Sequence, residues 1–127
     1  MENRKNTGQE MKIGRHGEDL VCRFLIEEGH TVLDRNWRYG HLELDLVTMD
    51  ANGIHFVEVK SRRTPMQAEP EESVNATKRR RMVRAAEGYL RVKGLEDMEC
   101  SFDVASVTFD GQRTEIRYLP EAFIPIR

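Results

Sequence analysis

A three-layer α/β domain with a mixed central sheet, in the order α-β-β-β-α-β-β, is the fold this sequence predicts, and three features predict it. Two stretches of helical apolar period lie at residues 14–28 and 75–93. Between them, Leu42-Glu43-Leu44-Asp45-Leu46 alternates strictly between apolar and acidic residues, and a turn sequence joins it to the β-rich run Ile54-His55-Phe56-Val57-Glu58-Val59-Lys60. Two further strand-like runs follow the second helical stretch. The chain has 127 residues, 39% hydrophobic and 33% charged. That suits one domain (residues 13–127) with its own core and a heavily charged surface.

Taken in order, residues 1–12 are polar without an apolar centre and predict a flexible N-terminal tail. The first helix follows over 14–28, with Leu20, Val21, Phe24 and Leu25 on one face and Gly29 as terminator. Residues 30–33 form a short strand, and Asn36, Trp37 and Arg38 lead through Tyr39-Gly40 into the alternating second strand. Asp50-Ala51-Asn52-Gly53 is a hairpin signal before the third strand. Pro65 and Pro70 predict a loop over 61–73. The second helix spans 75–93 with Met82, Ala85, Ala86, Tyr89 and Leu90 as its apolar stripe, and Gly94 stops it. Residues 101–109 and 114–119 are the last two strands, divided by Asp110-Gly111 and ended by Pro120.

Several function classes fall away. No apolar run approaches the roughly 20 residues of a membrane span, and the N-terminus has no secretory pattern. Cys22 and Cys100 stand alone, without zinc spacing or a disulfide framework, so reduced thiols and a cytoplasmic location are expected. There is no Walker loop or dinucleotide fingerprint, and Ser61 has no persuasive His/Asp partner. The four histidines, His16, His30, His41 and His55, show no metal-ligand spacing; surface roles are expected for most and a packed, satisfied position for His55. Net charge is −2, so the chain as a whole is no polycation. Charge is nevertheless uneven: residues 78–93 hold Lys78, Arg79, Arg80, Arg81, Arg84, Arg91 and Lys93 against one acid, Glu87. This is either a solvated helix face or an anion-facing surface, with Lys78, Arg79, Arg80, Arg81 and Arg84 as candidate nucleic-acid contacts.

The hairpin places the acids. If Asn52-Gly53 is a two-residue loop, Asp45 faces Lys60 and Val47 faces Glu58. If the loop runs over 50–53, Met49 faces Ile54, Asp45 faces Glu58 and Glu43 faces Lys60. Either register puts Asp45, Glu58 and Lys60 on one face, with opposed Cβ atoms about 5 Å apart. Leu42, Leu44 and Leu46 share the other face with His55, Val57 and Val59, which reads as the core side. The acidic face then needs a divalent cation such as Mg²⁺ or Mn²⁺, a salt bridge from Lys60, or open solvent. A [DE]-x-Lys tripeptide alone carries little weight, since Glu10-Met11-Lys12 also matches. The context carries more: this one ends an apolar strand, and an Asp lies thirteen residues earlier on the partner strand.

That arrangement is the PD-(D/E)-x-K pattern of the restriction-endonuclease-like superfamily, with Leu44 in place of the proline. Gly14-Arg15-His16-Gly17-Glu18, Arg35-Asn36-Trp37-Arg38, Glu43-Leu44-Asp45-Leu46 and Phe56-Val57-Glu58-Val59-Lys60-Ser61-Arg62 together resemble the YraN-like bacterial family. Lys78 with Ala85, Ala86 and Leu90, then Phe102-Asp103 and Ala122-Phe123, extend the resemblance over about 13–124. Leu42 departs from the glycine usual there. The resemblance implies a fold similar to archaeal Holliday-junction resolvases. It implies Mg²⁺ or Mn²⁺ ligation by Asp45, Glu58 and the Val59 carbonyl, with Glu18 and Glu43 as further candidate ligands. It also implies Lys60 at the attacking water. The expected activity is endonucleolytic hydrolysis of DNA phosphodiesters, branched or structured DNA included. The rival expectations are a catalytically silent nucleic-acid-binding module and a protein–protein adaptor. Nucleic acid, DNA foremost, is the expected partner, with no membrane and with a homodimer as an allowed state. Glu43 can alternatively pair with Arg62, and Trp37 is a core or edge anchor more readily than a base-stacking platform.

Overall fold

The computed structural model describes residues 2–63 and 75–123, with side chains from Ile13 onward. The elements run α1 (Glu2–Glu27), β1 (Thr31–Tyr39), β2 (Leu42–Asp50), β3 (Gly53–Arg63), α2 (Ala76–Lys93), β4 (Cys100–Asp110) and β5 (Arg113–Phe123). The expected order α-β-β-β-α-β-β is therefore observed. The five strands form one sheet in the order β1-β2-β3-β4-β5. All neighbours are antiparallel except β3 and β4, which are parallel and are joined through α2. One helix covers each face. Val21, Cys22 and Leu25 of α1 pack on Leu46, Val57, Ala105 and Val107, while Met82, Ala85, Ala86 and Tyr89 of α2 pack on Leu44, Val47, Phe56 and Val104.

Local chemistry fixes the ends of α2. The Asn75 side chain accepts a 3.0 Å bond from the Lys78 N–H, and Gly94 leaves the helix in the left-handed region (φ 67°). The end of α1 is closed likewise by Gly29 (φ 97°). At its other end α1 begins at Glu2, so helical backbone runs through the segment expected to be a tail. That segment has no proline and many good helix formers, which let a helix packed further along propagate outward.

The strands are longer than the alternation suggests, for identifiable reasons. The β1 strand begins as expected but absorbs Asn36, Trp37 and Arg38, with a register shift between Val32 and Asp34. The β3 strand continues through Ser61–Arg63 because it is paired on β4 to its end. The remainder of the expected loop lies outside the described residues. The β5 strand passes Pro120 to reach Phe123, with a register shift opposite Phe102–Val104. As the edge strand it loses no needed donor at the proline.

The hairpin adopts the second of the two registers: Met49 pairs with Ile54 and Asp50 with Gly53, so Ala51 and Asn52 make the turn. Gly53 is required there, at φ 127°, where a Cβ would lie 2.4 Å from the Glu99 carbonyl oxygen. The expected single core face is corrected. Leu42 and Leu44 face α2, whereas Leu46 faces α1 with Val57. The side-chain alternation of β2 breaks at Asp45, opposite Asn36 in its positive-φ conformation (51°). Both sheet faces are buried, so neither needs to be polar.

Candidate functional site

The break in β2 is what positions Asp45. Its Oδ2 accepts the Val59 N–H at 2.9 Å, tying it across to β3 at the residue that follows Glu58. Burial and the neighbouring Glu58 carboxylate push Asp45 up to about 8, against the lowering effect of the Val59 hydrogen bond. Glu58 Oε1 lies 3.2 Å from Lys60 Nζ and 3.2 Å from Lys78 Nζ. Lys60 shares a sheet face with Glu58, two residues on, and Lys78 reaches it from the first turn of α2. Asp45, Glu58 and Lys60 thus lie together, and the basic helix contributes Lys78 to the same cluster.

A third element delivers Glu18. A Cβ on Gly17 would lie 1.9 Å from Ser61 Oγ, so glycine at this position allows α1 to lie directly on β3. Among the described residues, the buried Ser61 Oγ has no hydrogen-bond partner. The next residue, Glu18, is shifted upward by burial, opposed by a hydrogen bond from Asn36 and by Arg35. Its charge is felt by Asp45, and that of Glu43 by Glu18. Glu43 pairs with Arg38 at 3.4 Å rather than with Arg62. Of the Val59 peptide, the N–H is the group that touches Asp45.

Residues 17–107 match the family described as Uncharacterised protein family UPF0102. The chain is 38% identical over 114 residues to a UPF0102 protein of Bacteroides thetaiotaomicron, covering 90% of this chain and 93% of that one. It is 39% identical over 117 residues to one from Syntrophotalea carbinolica, covering 92% and 95%. The chain belongs to the UPF0102 family.

The blocks that resemble the YraN-like proteins are thereby those of UPF0102. Among solved structures, a Pyrococcus furiosus SfsA in complex with Ca²⁺ aligns with TM-score 0.38 and 15% identity over 87% of this chain and 63% of that one. That likeness is too loose to bear on function.

In this UPF0102 chain Arg79, Arg80, Arg81 and Arg84 are exposed on α2, and Arg79 lies over the Phe123 ring at 5.4 Å. Trp37 is an anchor: it stacks on Tyr39 at 5.8 Å and meets Tyr89 edge-on at 5.0 Å. Among the described residues no helix is long and apolar enough to cross a membrane.

Sequence reasoning missed a second polar cluster. His30 is enclosed, at 8% side-chain exposure, and stands 3.5 Å from Asp50. His55 lies between Asp50 and the fully buried Asp103, at 2.8 Å from each. The expectation of a satisfied His55 holds, and that of a surface position for His30 does not. The signal was the β1–β2 pairing, where Thr31 meets Met49 only because of the shift near Leu33. A shift of this kind has no composition signature.

Proposed function

We propose that this protein is a metal-dependent endonuclease that hydrolyses DNA phosphodiesters at the Asp45–Glu58–Lys60 cluster, with Mg²⁺ or Mn²⁺ held by Asp45 and Glu58. The observation that carries the reading is a pair of neighbouring, poorly solvated carboxylates with two lysine ammonium groups beside one of them. Burial first and then the Glu58 charge push Asp45 upward, and an added cation relieves both by compensating the buried negative charge. The donors are hard oxygens, which suit Mg²⁺ and Mn²⁺. Glu18 and Glu43 are close enough electrostatically to add to the negative field, and the Val59 carbonyl is the remaining ligand we assign. A bound divalent ion supplies Lewis acidity at the phosphoryl oxygen and a more acidic water.

The chain's own groups do the rest. The Asp45 carboxylate is oriented by the Val59 N–H, so it presents its other oxygen without a search for rotamers. The Lys60 ammonium sits at the reaction centre, where it stabilises charge that develops on the phosphoryl oxygens. We assign it this electrostatic role rather than that of a general base, because the Glu58 carboxylate 3.2 Å away favours the charged ammonium. Lys78 and the N–H groups of the first turn of α2 offer positive potential to the same side.

The basic stretch supports DNA as substrate. The first turn of α2 carries no acid, and Lys78, Arg79, Arg80 and Arg81 crowd the end of the helix where the macrodipole disfavours cations. A phosphate backbone is the polyanion that such a cationic surface suits. The test is incubation of purified protein with duplex, single-stranded and branched DNAs in Mg²⁺, Mn²⁺ or EDTA. Metal-dependent products from wild type and none from Asp45→Asn are expected. Tight binding with no product on the whole panel would replace this reading with that of a silent binding module.

A further inference from the structure

We propose that His30, Asp50 and His55 form a second metal site, for a borderline transition-metal ion of which Zn²⁺ is the best match. The three residues come from different segments: the connection after α1, the end of β2 and the start of β3. One ligand atom from each lies within 4.8 Å of the other two. Both imidazole Nε2 atoms point at one carboxylate, His55 at 2.8 Å from Oδ1 and His30 at 3.5 Å from Oδ2. Zinc holds N and O donors at about 2.0–2.2 Å, so tetrahedral donors lie about 3.2–3.5 Å apart. His30 and Asp50 are already at that spacing, and His55 stands closer to Asp50, at hydrogen-bond distance.

The outer nitrogens are arranged as a metal site requires. A ligating histidine usually donates its other N–H to a fixed acceptor, which sets tautomer and ring orientation. His30 Nδ1 lies 2.7 Å from Thr48 Oγ1, and His55 Nδ1 lies 2.8 Å from Asp103 Oδ2. Thr48 and Asp103 are both fully buried. Asp103 is itself held by the Tyr118 hydroxyl, by Ser101 Oγ at 3.0 Å and by the Glu121 N–H at 2.9 Å. Each ring is therefore locked so that Nε2 faces Asp50. The two imidazole rings stand with their centroids 4.6 Å apart.

Two nitrogens and one carboxylate oxygen suit Zn²⁺ far better than Mg²⁺, which favours all-oxygen shells. Binding breaks the hydrogen bond between His55 Nε2–H and Asp50 and releases that proton to solvent. Three protein donors leave the fourth position to water. A cleft of about 200 Å³ borders His55 together with Asn52, Ser101 and Glu121. The site shares no residue with Asp45 and Glu58, so it stands whether or not DNA is cut.

The test uses the full chain, stripped with EDTA, dialysed, and titrated with Zn²⁺ by calorimetry and with Co²⁺ by visible absorption. One ion per chain with a dissociation constant of about 1 µM or tighter is expected, with Co²⁺ bands of a four-coordinate N/O site. His30→Gln and His55→Gln should each weaken binding at least tenfold, and Asp45→Asn should leave it unchanged. If either variant fails to fold by circular dichroism, imidazole ¹⁵N shifts in the wild type decide: Zn²⁺ should move Nε2 of His30 and His55 and leave His16 and His41. Absence of Zn²⁺ binding at about 10 µM, binding that survives in a folded His30→Gln/His55→Gln double variant, or shifts confined to His16 and His41 would each overturn the proposal.

Discussion

Asp45 is the residue on which site and stability meet. Its carboxyl rises on folding from the ordinary value of 3.8 to about 8, first through burial and then through Glu58. The native state therefore holds that proton more tightly than the unfolded chain. The stabilisation it brings is complete below about pH 4 and is lost as the pH climbs toward 8. Metal-free protein should therefore lose stability over that window. Glu18, also displaced upward by burial, adds to the slope in the same direction. Asp45→Asn, which cannot ionise, should show a visibly flatter melting temperature against pH in EDTA. On the proposed function, millimolar Mg²⁺ should stabilise wild type and leave this variant unchanged. Parallel slopes for the two proteins would show that Asp45 ionises freely in the fold. At this scale the sequence was informative where a signal is local. Glu58 and Lys60 sit two residues apart on β3, as strand periodicity has it. The β2–β3 pairing, however, starts at Leu46–Val57, so the hairpin arithmetic does not reach Asp45, which the Val59 N–H ties to β3. His30 and Asp50 meet through a shift in β1 that no side chain announces.

Among the elements, α2 was the most legible because its ends are written in side chains: Asn75 caps one end and Gly94 the other. What the periodicity did not reveal is that its first turn leans on the site, through Lys78 and Glu58. The exposed arginines behind that turn carry the second prediction. If Arg80 and Arg84 contact phosphates, Arg80→Glu/Arg84→Glu should weaken DNA binding and reduce the slope of log affinity against log salt by about 1–2. Fluorescence anisotropy at several salt concentrations measures this, and an unchanged slope would move the DNA surface off α2. The α1 helix gives a third prediction. Gly17 meets Ser61 with no room for a Cβ, so Gly17→Val must lift α1 from β3. A loss of about 1–3 kcal/mol in urea unfolding is expected, with Glu18 carried away from Asp45. Strand ends were less legible than helix ends. The β1 and β5 strands run through register shifts, and Pro120 ends a strand only where its N–H is needed.

The whole molecule is a sheet buried on both faces, and this explains the one systematic misreading. Strict alternation along 42–46 suggested one apolar and one polar face, yet Leu44 and Leu46 enter opposite cores. Period-two patterns report faces only while a strand stays unbroken, and β2 turns over at Asp45. The same architecture gathers chemistry at one place. Glu18 comes from α1, Asp45 from β2, Glu58 and Lys60 from β3 and Lys78 from α2, while the cationic surface extends along α2. On the proposed function, affinity for DNA would be spread over many phosphate contacts, whereas bond cleavage would depend on a few groups. Lys60→Ala separates the two. It removes one ammonium from the centre and leaves Asp45 and Glu58 in place. A contact made mainly in the transition state is worth about 10²–10³ in rate, while one phosphate contact among several is a small share of affinity. Single-turnover cleavage should fall by that factor with binding of intact DNA within about threefold. A parallel loss of both would make Lys60 a binding residue, and cleavage at the wild-type rate would remove it from the reaction altogether.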